Sequence, residues 1–502
     1  MGWESLTTIC MSARRDALFL LLLFLAATAL YSTVAPYTFP FPDRDQGVYT
    51  YIAEHLLQGQ IPYRNLWDHK GPLIYFIYAL GLLIHPVYGV WLLGLAALWL
   101  AVFLSDRLVK EVFDSNTALL VAALWLASLP AVVDGGGTVE FFNLPFQFAA
   151  LFAFQRLFQT GGTRYAILIG ASMGLSFLLR PNGIAIGIAI FLFLAYRVCA
   201  KRDPLSRLAR PALWMLAGGL LVILPFAIWL SVHGALDEFF DIVFRYNALY
   251  SQMARLKWLA IPIGAGYVPT LVALAFAGAM AMRGKSISNA QKMWSSFLLL
   301  AALIEILLST LSGRVYRHYF VSWLPVLGLL AAPAISLLER GWRGRGARLV
   351  QAVSLVTLVW VAIQARVPRE PLSVPPRSDD PVVRYVLEHT SESDFVWFWG
   401  NEVKYNVWTG REAPTRLLYA YPLGTPGYAT EALVASILDE LRARRPMIVD
   451  ATPSDPLLPA LTDAAWEADA VVWPLVRFIR ENYELTETIG PNEWPVWIYK
   501  GQ

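Results

Sequence analysis

Long apolar stretches recur along most of this chain, and they constrain its fold more than any other feature. The first, residues 17–35, carries no charged side chain and closely follows Arg14 and Arg15. Its length matches the roughly 20 apolar residues of a transmembrane helix, and the basic pair places the N-terminus inside. A signal peptide is the alternative. Because a small-x-small cleavage site is missing and further spans follow, we predict an uncleaved first helix.

Composition excludes several classes of protein. With 57% hydrophobic and 15% charged residues, the chain has too little polar surface for an ordinary soluble enzyme or a disordered protein. The net charge of +3 is small, and the basic residues fall between apolar runs instead of forming a patch, so we expect no nucleic-acid partner. With two cysteines in the sequence, Cys10 and Cys199, we expect no disulfide scaffold and no cysteine zinc site; both fall near the predicted inner side, where thiols stay reduced. We predict a mainly α-helical, polytopic membrane protein.

The apolar segments give about eleven predicted transmembrane helices. After 17–35 they cover residues 88–105, 117–133, 141–155, 165–179, 181–196, 211–232, 258–282, 293–313, 319–338 and 349–365. Residues 71–84 are also apolar but short for a span. If they do not cross, nearly every Lys/Arg-rich loop lies in the cytoplasm, as the positive-inside rule requires. We therefore predict that residues 71–84 lie in, or dip into, the outer interface.

This topology places two regions outside a plasma (inner) membrane, with the N-terminus in the cytoplasm. Residues 1–365 form the transmembrane domain, and its first outer loop spans residues 36–87. Residues 366–502 form an extracytoplasmic domain in which helices alternate with short strands, so we predict a small α/β fold. The predicted helices lie at 382–389, 430–444 and 472–482, and the strands at 395–399, 447–449 and 496–499. This domain lacks the glycine-rich nucleotide motifs.

The first outer loop carries the strongest candidate for catalysis. Apolar residues at helical spacing between 48 and 57 predict one face of a short amphipathic helix, ended by Gly59 and suited to the membrane surface. Asp45 stands immediately before this helix. It is interpreted either as a helix N-cap alone or as a cap that also holds a catalytic carboxylate at the bilayer. Asp43 and Tyr49 of the same stretch are assigned to substrate binding.

Two further charged residues stand at predicted helix ends on the outer side. Lys70 precedes the interfacial helix and is interpreted either as a snorkelling lysine or as an ammonium that binds a lipid phosphate. Glu140 follows a run of glycines at the mouth of a span. An acid at such a position tends to mark function, whereas the alternative is a charge that meets the helix dipole. A metal held by Asp45 and Glu140 is left open.

Several basic residues are predicted on the outer side, where the positive-inside rule expects few of them. Guanidinium groups bind phosphate in bidentate fashion, so the set favours an anionic substrate such as a phospholipid. The residues are Arg180, Arg245, Arg314, Arg317 and His318, of which Arg245, Arg317 and His318 are assigned to substrate binding. Asn247 and Tyr250 are weaker candidates for the same cavity.

With these residues in view, the chain resembles the GT-C superfamily of polytopic glycosyltransferases, and most of all the relatives of protein O-mannosyltransferases and the lipid A aminoarabinose transferase. The first motif is Asp45-Gln46-Gly47-Val48-Tyr49. Lys70-Gly71-Pro72-Leu73 matches the start of an interfacial helix, and Thr138-Val139-Glu140 matches a second acidic position. Tyr316-Arg317-His318-Tyr319, with Pro325, is also similar. The resemblance covers roughly residues 15–365.

The resemblance implies an enzyme that moves a sugar from a polyprenyl-phosphate donor to a glycan, lipid or protein acceptor at the outer face. Asp45 and Glu140 are then the catalytic residues. The resemblance identifies no certain cofactor and leaves a divalent cation open. Membrane lipids are the other expected partners. Two alternatives are a transporter or flippase for lipid-linked sugars, for which Glu305 is the candidate mid-span acid, and a non-catalytic membrane scaffold.

Overall fold

The computed structural model describes residues 3–37, 41–133, 135–252, 265–341, 379–452, 461 and 470–501. Helices dominate these residues. In chain order they are α1 (Trp3–Tyr31), α2 (Arg44–Leu57), α3 (Leu73–Ile84), α4 (Gly89–Val112), α5 (Ser115–Ser128), α6 (Val139–Thr160), α7 (Thr163–Leu179), α8 (Ala185–Cys199), α9 (Ser206–Val232), α10 (Leu236–Phe240), α11 (Asn247–Gln252), α12 (Val268–Ala281), α13 (Asn289–Thr310), α14 (Trp323–Gly341), α15 (Pro381–His389), α16 (Lys404–Thr409), α17 (Tyr421–Gly424), α18 (Glu431–Arg444) and α19 (Trp473–Asn482).

Within the described residues, six helical segments are long and apolar enough to cross a membrane. They are Arg14–Val34, Gly89–Val112, Pro181–Cys199, Ser206–Val232, Asn289–Thr310 and Arg317–Gly341. Three of the other predicted spans correspond to shorter apolar helices, Ser115–Ala131, Thr163–Leu179 and Val268–Ala281. The predicted span 141–155 lies inside α6, and the predicted span 349–365 lies outside the described residues.

The short apolar stretch before α4 forms α3, a helix of 12 residues. At about 1.5 Å per residue it is about 18 Å long, whereas the hydrocarbon core of a bilayer is about 30 Å thick. The length therefore agrees with a helix that does not cross. Its place in the outer interface stays a prediction.

The chain divides into two compact units. Unit 1 comprises Met1–Ala35, Trp91–Phe226 and Leu256–Arg369, and unit 2 comprises Pro36–Val90, Ala227–Arg255 and Glu370–Gln502. The first outer loop thus belongs to the same unit as residues 370–502, which make up nearly all of the predicted C-terminal domain 366–502, called the tail below. A division at residue 365, which sequence hydropathy suggests, separates these two segments, because hydropathy does not register contacts between distant parts of a chain.

Unit 1 is a bundle of apolar helices in which α12 packs on α14 and α6 packs on α7. One polar contact lies inside it. The Gln147 side-chain amide donates to Glu305 Oε2 at 3.1 Å and to the Ser322 carbonyl at 3.3 Å. Glu305, the candidate mid-span acid, is therefore a hydrogen-bonded residue of the bundle interior, where polar side chains join neighbouring helices.

The tail in unit 2 contains a four-stranded sheet in the order β1–β2–β4–β3. Its strands are β1 (Val396–Trp399), β2 (Met447–Asp450), β3 (Tyr483–Ile489) and β4 (Trp494–Tyr499). β1 and β2 run parallel, and the other pairs are antiparallel. Parallel neighbours need a crossover connection, and α18 lies within it. The expected small α/β fold of the tail is confirmed.

Candidate functional site

The first turn of α2 carries Asp45, but Asp45 is not the cap of this helix. Asp43 is the N-cap, and its backbone N–H donates to Gln46 Oε1 at 3.1 Å in a capping box. The interpretation of Asp45 as the N-cap is therefore wrong, because α2 begins at Arg44 and its N-cap lies two residues before Asp45. Asp45 lies in the first turn, half-buried. Its carboxylate makes no hydrogen bond or ion pair with any residue that the structure describes.

A lysine of the tail reaches the same end of α2. Lys404 Nζ lies 3.8 Å from Asp43 Oδ1 and 3.2 Å from Glu402 Oε2. Burial raises the pKa of Glu402 above its usual range, and Lys404 opposes that effect. Since Asp43 is engaged as a cap and as a partner of Lys404, it differs chemically from Asp45, whose negative charge has no partner of this kind in the described part of the chain.

The segment that leads to Lys70 is held on several sides within unit 2. Asp68, which is only 3% exposed, accepts from Tyr419 at 2.6 Å and from Tyr75 at 2.7 Å. Burial raises the pKa of Asp68, and its basic and hydroxyl neighbours oppose that effect. The Lys70 carbonyl accepts from Tyr63 at 2.8 Å. The backbone position of Lys70 is thus fixed, and its side chain is half-buried.

Tyr49 and Arg245, two other predicted binding residues of unit 2, contact other residues of the protein. Tyr49 is 1% exposed and packs edge-on against Tyr78, with ring centroids 5.4 Å apart. Arg245 donates to Asp241 Oδ1 at 2.8 Å and to the Gly427 carbonyl at 3.1 Å. Both residues thus have a structural role, and their contact with substrate stays a prediction.

Glu140 lies in unit 1, in the first turn of α6, whose N-cap is Thr138. The Glu140 carboxylate, 1% exposed, forms an ion pair with Arg180. Arg180 also donates from Nε to Asn182 Oδ1 at 2.5 Å, and its guanidinium lies 4.8 Å from the centroid of the Tyr319 ring. The second carboxylate oxygen of Glu140 has no hydrogen-bond donor among the described residues.

The remaining candidates of unit 1 follow α13. Arg317 opens a 3₁₀ helix, Arg317–Ser322, and its side chain is exposed. His318 is buried and stacks on Tyr316, with a centroid distance of 5.8 Å. An exposed guanidinium is available to an anion, whereas the His318 ring is packed between aromatic neighbours.

A family model described as "Putative competence-induced protein Ccs4 N-terminal domain" matches residues 7–366, which is more than half of the chain. The chain belongs to this family. The matched region of this Ccs4-family chain ends where the tail begins.

Solved structures extend the likeness to the tail. ArnT from Cupriavidus metallidurans, bound to undecaprenyl phosphate, matches with a TM-score of 0.59 and 14% identity, over 95% of this chain and 97% of that chain. An oligosaccharyltransferase of Archaeoglobus fulgidus, solved with zinc and sulfate, matches with a TM-score of 0.54 and 15% identity, over 95% of this chain and 73% of that chain. AglB from the same organism, solved with an inhibitory peptide and a dolichol-phosphate, matches with a TM-score of 0.52 and 13% identity, over 97% of this chain and 75% of that chain. The predicted GT-C membrane fold is confirmed.

A metal site fits the described residues of this Ccs4-family chain poorly. Among them, no three His, Cys, Asp or Glu side chains are grouped so that they could hold an ion. Asp45 and Glu140 belong to no such group in the part of the chain that the structure describes.

Sequence reasoning missed three contributors to these surroundings. Asp68 was hidden because its partner Tyr419 is 351 residues away, although the run Trp67-Asp68-His69-Lys70 is unusually polar for a chain of this composition. The pairing of Arg180 with Glu140 and that of Lys404 with Asp43 also join distant residues. Only a folded chain reveals such pairs.

Proposed function

We propose that this protein is a glycosyltransferase that moves a sugar from a polyprenyl-phosphate carrier to an acceptor at the outer face of the membrane. The observation that carries the proposal is the likeness of nearly the whole chain, tail included, to ArnT, a protein solved with undecaprenyl phosphate bound. The half-buried Asp45 carboxylate and the fixed Lys70 support it, because they supply a base and a cation on one unit.

The proposed reaction is an inverting displacement. An acceptor hydroxyl attacks the anomeric carbon and its proton passes to Asp45, while the bond from that carbon to the phosphate oxygen breaks. The electron pair leaves with the phosphate, so polyprenyl phosphate is the second product. Lys70 neutralises the departing phosphate, whereas Arg245 is already engaged by Asp241. In unit 1, the exposed Arg317 is proposed as a further anion ligand, and Glu140, held by Arg180, as the group that positions the acceptor.

The purified protein tests this proposal directly. It is incubated in lipid with a set of polyprenyl-phosphate sugars, each radiolabelled in the sugar, and with membrane extracts as the source of acceptor. Label that moves from the carrier to a new product, with release of polyprenyl phosphate, supports the enzyme. Label that crosses the bilayer of a vesicle while still on its carrier supports a transporter and overturns the proposal.

The proposed orientation puts the tail and α2 outside. After replacement of Cys10 and Cys199, a cysteine at the exposed Ser206, before α9, is expected to stay unlabelled by a membrane-impermeant thiol reagent in intact cells. A cysteine at the exposed Ser393 in the tail is expected to react. Both sites should react once the cells are opened. Labelling of Ser206→Cys alone in intact cells would reverse the orientation and move Asp45 to the cytoplasmic side.

A further inference from the structure

A short strip of the tail, residues 416–421, runs along the first outer loop within unit 2. It begins with a backbone contact, in which the Trp67 N–H donates to the Arg416 carbonyl at 2.9 Å. Trp67 and Leu417 also form an isolated parallel bridge. Both side chains are fully buried. The strip is therefore anchored three residues before Lys70.

Tyr419, two residues along the strip, holds the next loop residue. Its hydroxyl donates to Asp68 Oδ1 at 2.6 Å and lies 3.0 Å from His69 Nδ1. Tyr419 is 2% exposed, so water does not compete for these contacts. A hydrogen bond to a buried carboxylate is strong and directional. This bond fixes the segment from which Lys70 projects.

Tyr421, two residues further, reaches the other half of the loop. Its hydroxyl accepts from the Arg44 guanidinium, which lies 5.8 Å from the centroid of the same ring. Arg44 is the first residue of α2 and directly precedes Asp45. A second attachment limits rotation of this turn, since a Cβ on Gly47 would lie 2.5 Å from the Lys404 backbone nitrogen.

We propose that Tyr419 and Tyr421 are positioning residues that set the spacing between Lys70 and Asp45. This inference rests on the proposed function, in which Lys70 holds the donor phosphate and Asp45 activates the acceptor. Both groups lie on one loop but are 25 residues apart in sequence. The same six-residue strip touches the neighbours of each. The tail thus contributes to the geometry of the site.

The two tyrosines act on different partners, which gives each a separate kinetic signature. Tyr419→Phe removes one hydroxyl on the Lys70 side, so the KM for donor lipid is expected to rise about tenfold with kcat little changed. Tyr421→Phe loosens the turn that carries Asp45, so kcat is expected to fall about tenfold with the donor KM unchanged. Tyr428→Phe, which removes a hydroxyl that Trp67 contacts at 3.0 Å, is a second variant for the Lys70 side.

Tyr483→Phe is the matched control. Tyr483 is a buried tail tyrosine whose hydroxyl has no hydrogen-bond partner in the described part of the chain, so this variant should behave as the parent. The inference is overturned if the other three variants match Tyr483→Phe. It is also overturned if they change kcat and KM in one common proportion together with the melting temperature, which indicates a purely structural role.

Binding of undecaprenyl phosphate separates this inference from the proposed function. Tyr419→Phe should weaken that binding about tenfold relative to Tyr483→Phe, and Tyr421→Phe should not. If the parent transfers no sugar yet shows this difference in binding, the proposed reaction fails and the positioning of the phosphate site stands. If the parent neither binds the lipid nor transfers sugar, the proposed site is wrong and this inference is overturned as well.

Discussion

Asp45→Asn is expected to lower the rate of sugar transfer by about 10²–10⁴-fold, the usual contribution of a general base. The amide of asparagine has no negative charge and no proton affinity at neutral pH, so it cannot accept the proton of the acceptor hydroxyl. The fold should be unaffected, since no described residue depends on the Asp45 carboxylate for a hydrogen bond or an ion pair. The measurement is single-turnover transfer with saturating donor, beside donor binding and the melting temperature.

Asp43→Asn is the control two residues away. Asparagine caps a helix about as well as aspartate, and the charge that is lost faces Lys404 across 3.8 Å at a half-exposed position. This variant should therefore keep most of its activity. Loss of transfer in Asp43→Asn, with Asp45→Asn near the parent rate, would assign the base to Asp43. Activity in both variants would place the base outside this turn.

The transmembrane helices were predictable because their formation depends on the local sequence alone. An apolar run of sufficient length forms a helix in lipid whatever its neighbours do, so the helices around 17–35, 88–105 and 211–232 follow from sequence alone. The short apolar stretch 71–84 was predictable as a helix for the same reason, since the structure gives α3 as Leu73–Ile84. Its place in the outer interface, which depends on the loop charges, stays a prediction.

The tail was predictable where its strands are buried. β1 is apolar and buried at every position, and β2 is buried at every position with three apolar residues before Asp450; both were predicted. β3 was missed because five of its seven residues are exposed. A strand at the edge of a sheet has few buried side chains, so its pattern resembles a polar loop.

The candidate site was only half predictable. Asp45 and Lys70 stand out because a charge beside an apolar helix needs a reason. The surroundings that fix them do not stand out, since Tyr419 and Lys404 come from the tail, more than 300 residues later. The position of the N-cap was misjudged for a related reason. The apolar face of α2 begins at Val48, whereas the polar first turn from Arg44 to Gly47 has no periodicity to reveal it.

The second large effect is expected from Arg180→Met. This change removes the only hydrogen-bond donor that the described residues give to the Glu140 carboxylate. Glu140 is 1% exposed, so its charge would be left buried and uncompensated. Breaking a buried pair in this way costs about 3–5 kcal/mol of stability. Thermal or denaturant unfolding in detergent measures the loss. Arg477→Met, at an exposed pair with Glu481, should cost about 1 kcal/mol or less.

A second substitution distinguishes loss of the pair from loss of the arginine itself. In Glu140→Gln/Arg180→Met the buried charge is gone, so the double variant should recover most of the stability that Arg180→Met loses. Recovery is the expected result because replacing both members of a buried pair by uncharged groups is often close to neutral. If the double variant is as unstable as Arg180→Met, the contacts of Arg180 with Asn182 and Tyr319 carry the stability. In that case the charge of Glu140 is tolerated without its partner, as is expected of a carboxylate that water or the acceptor can reach.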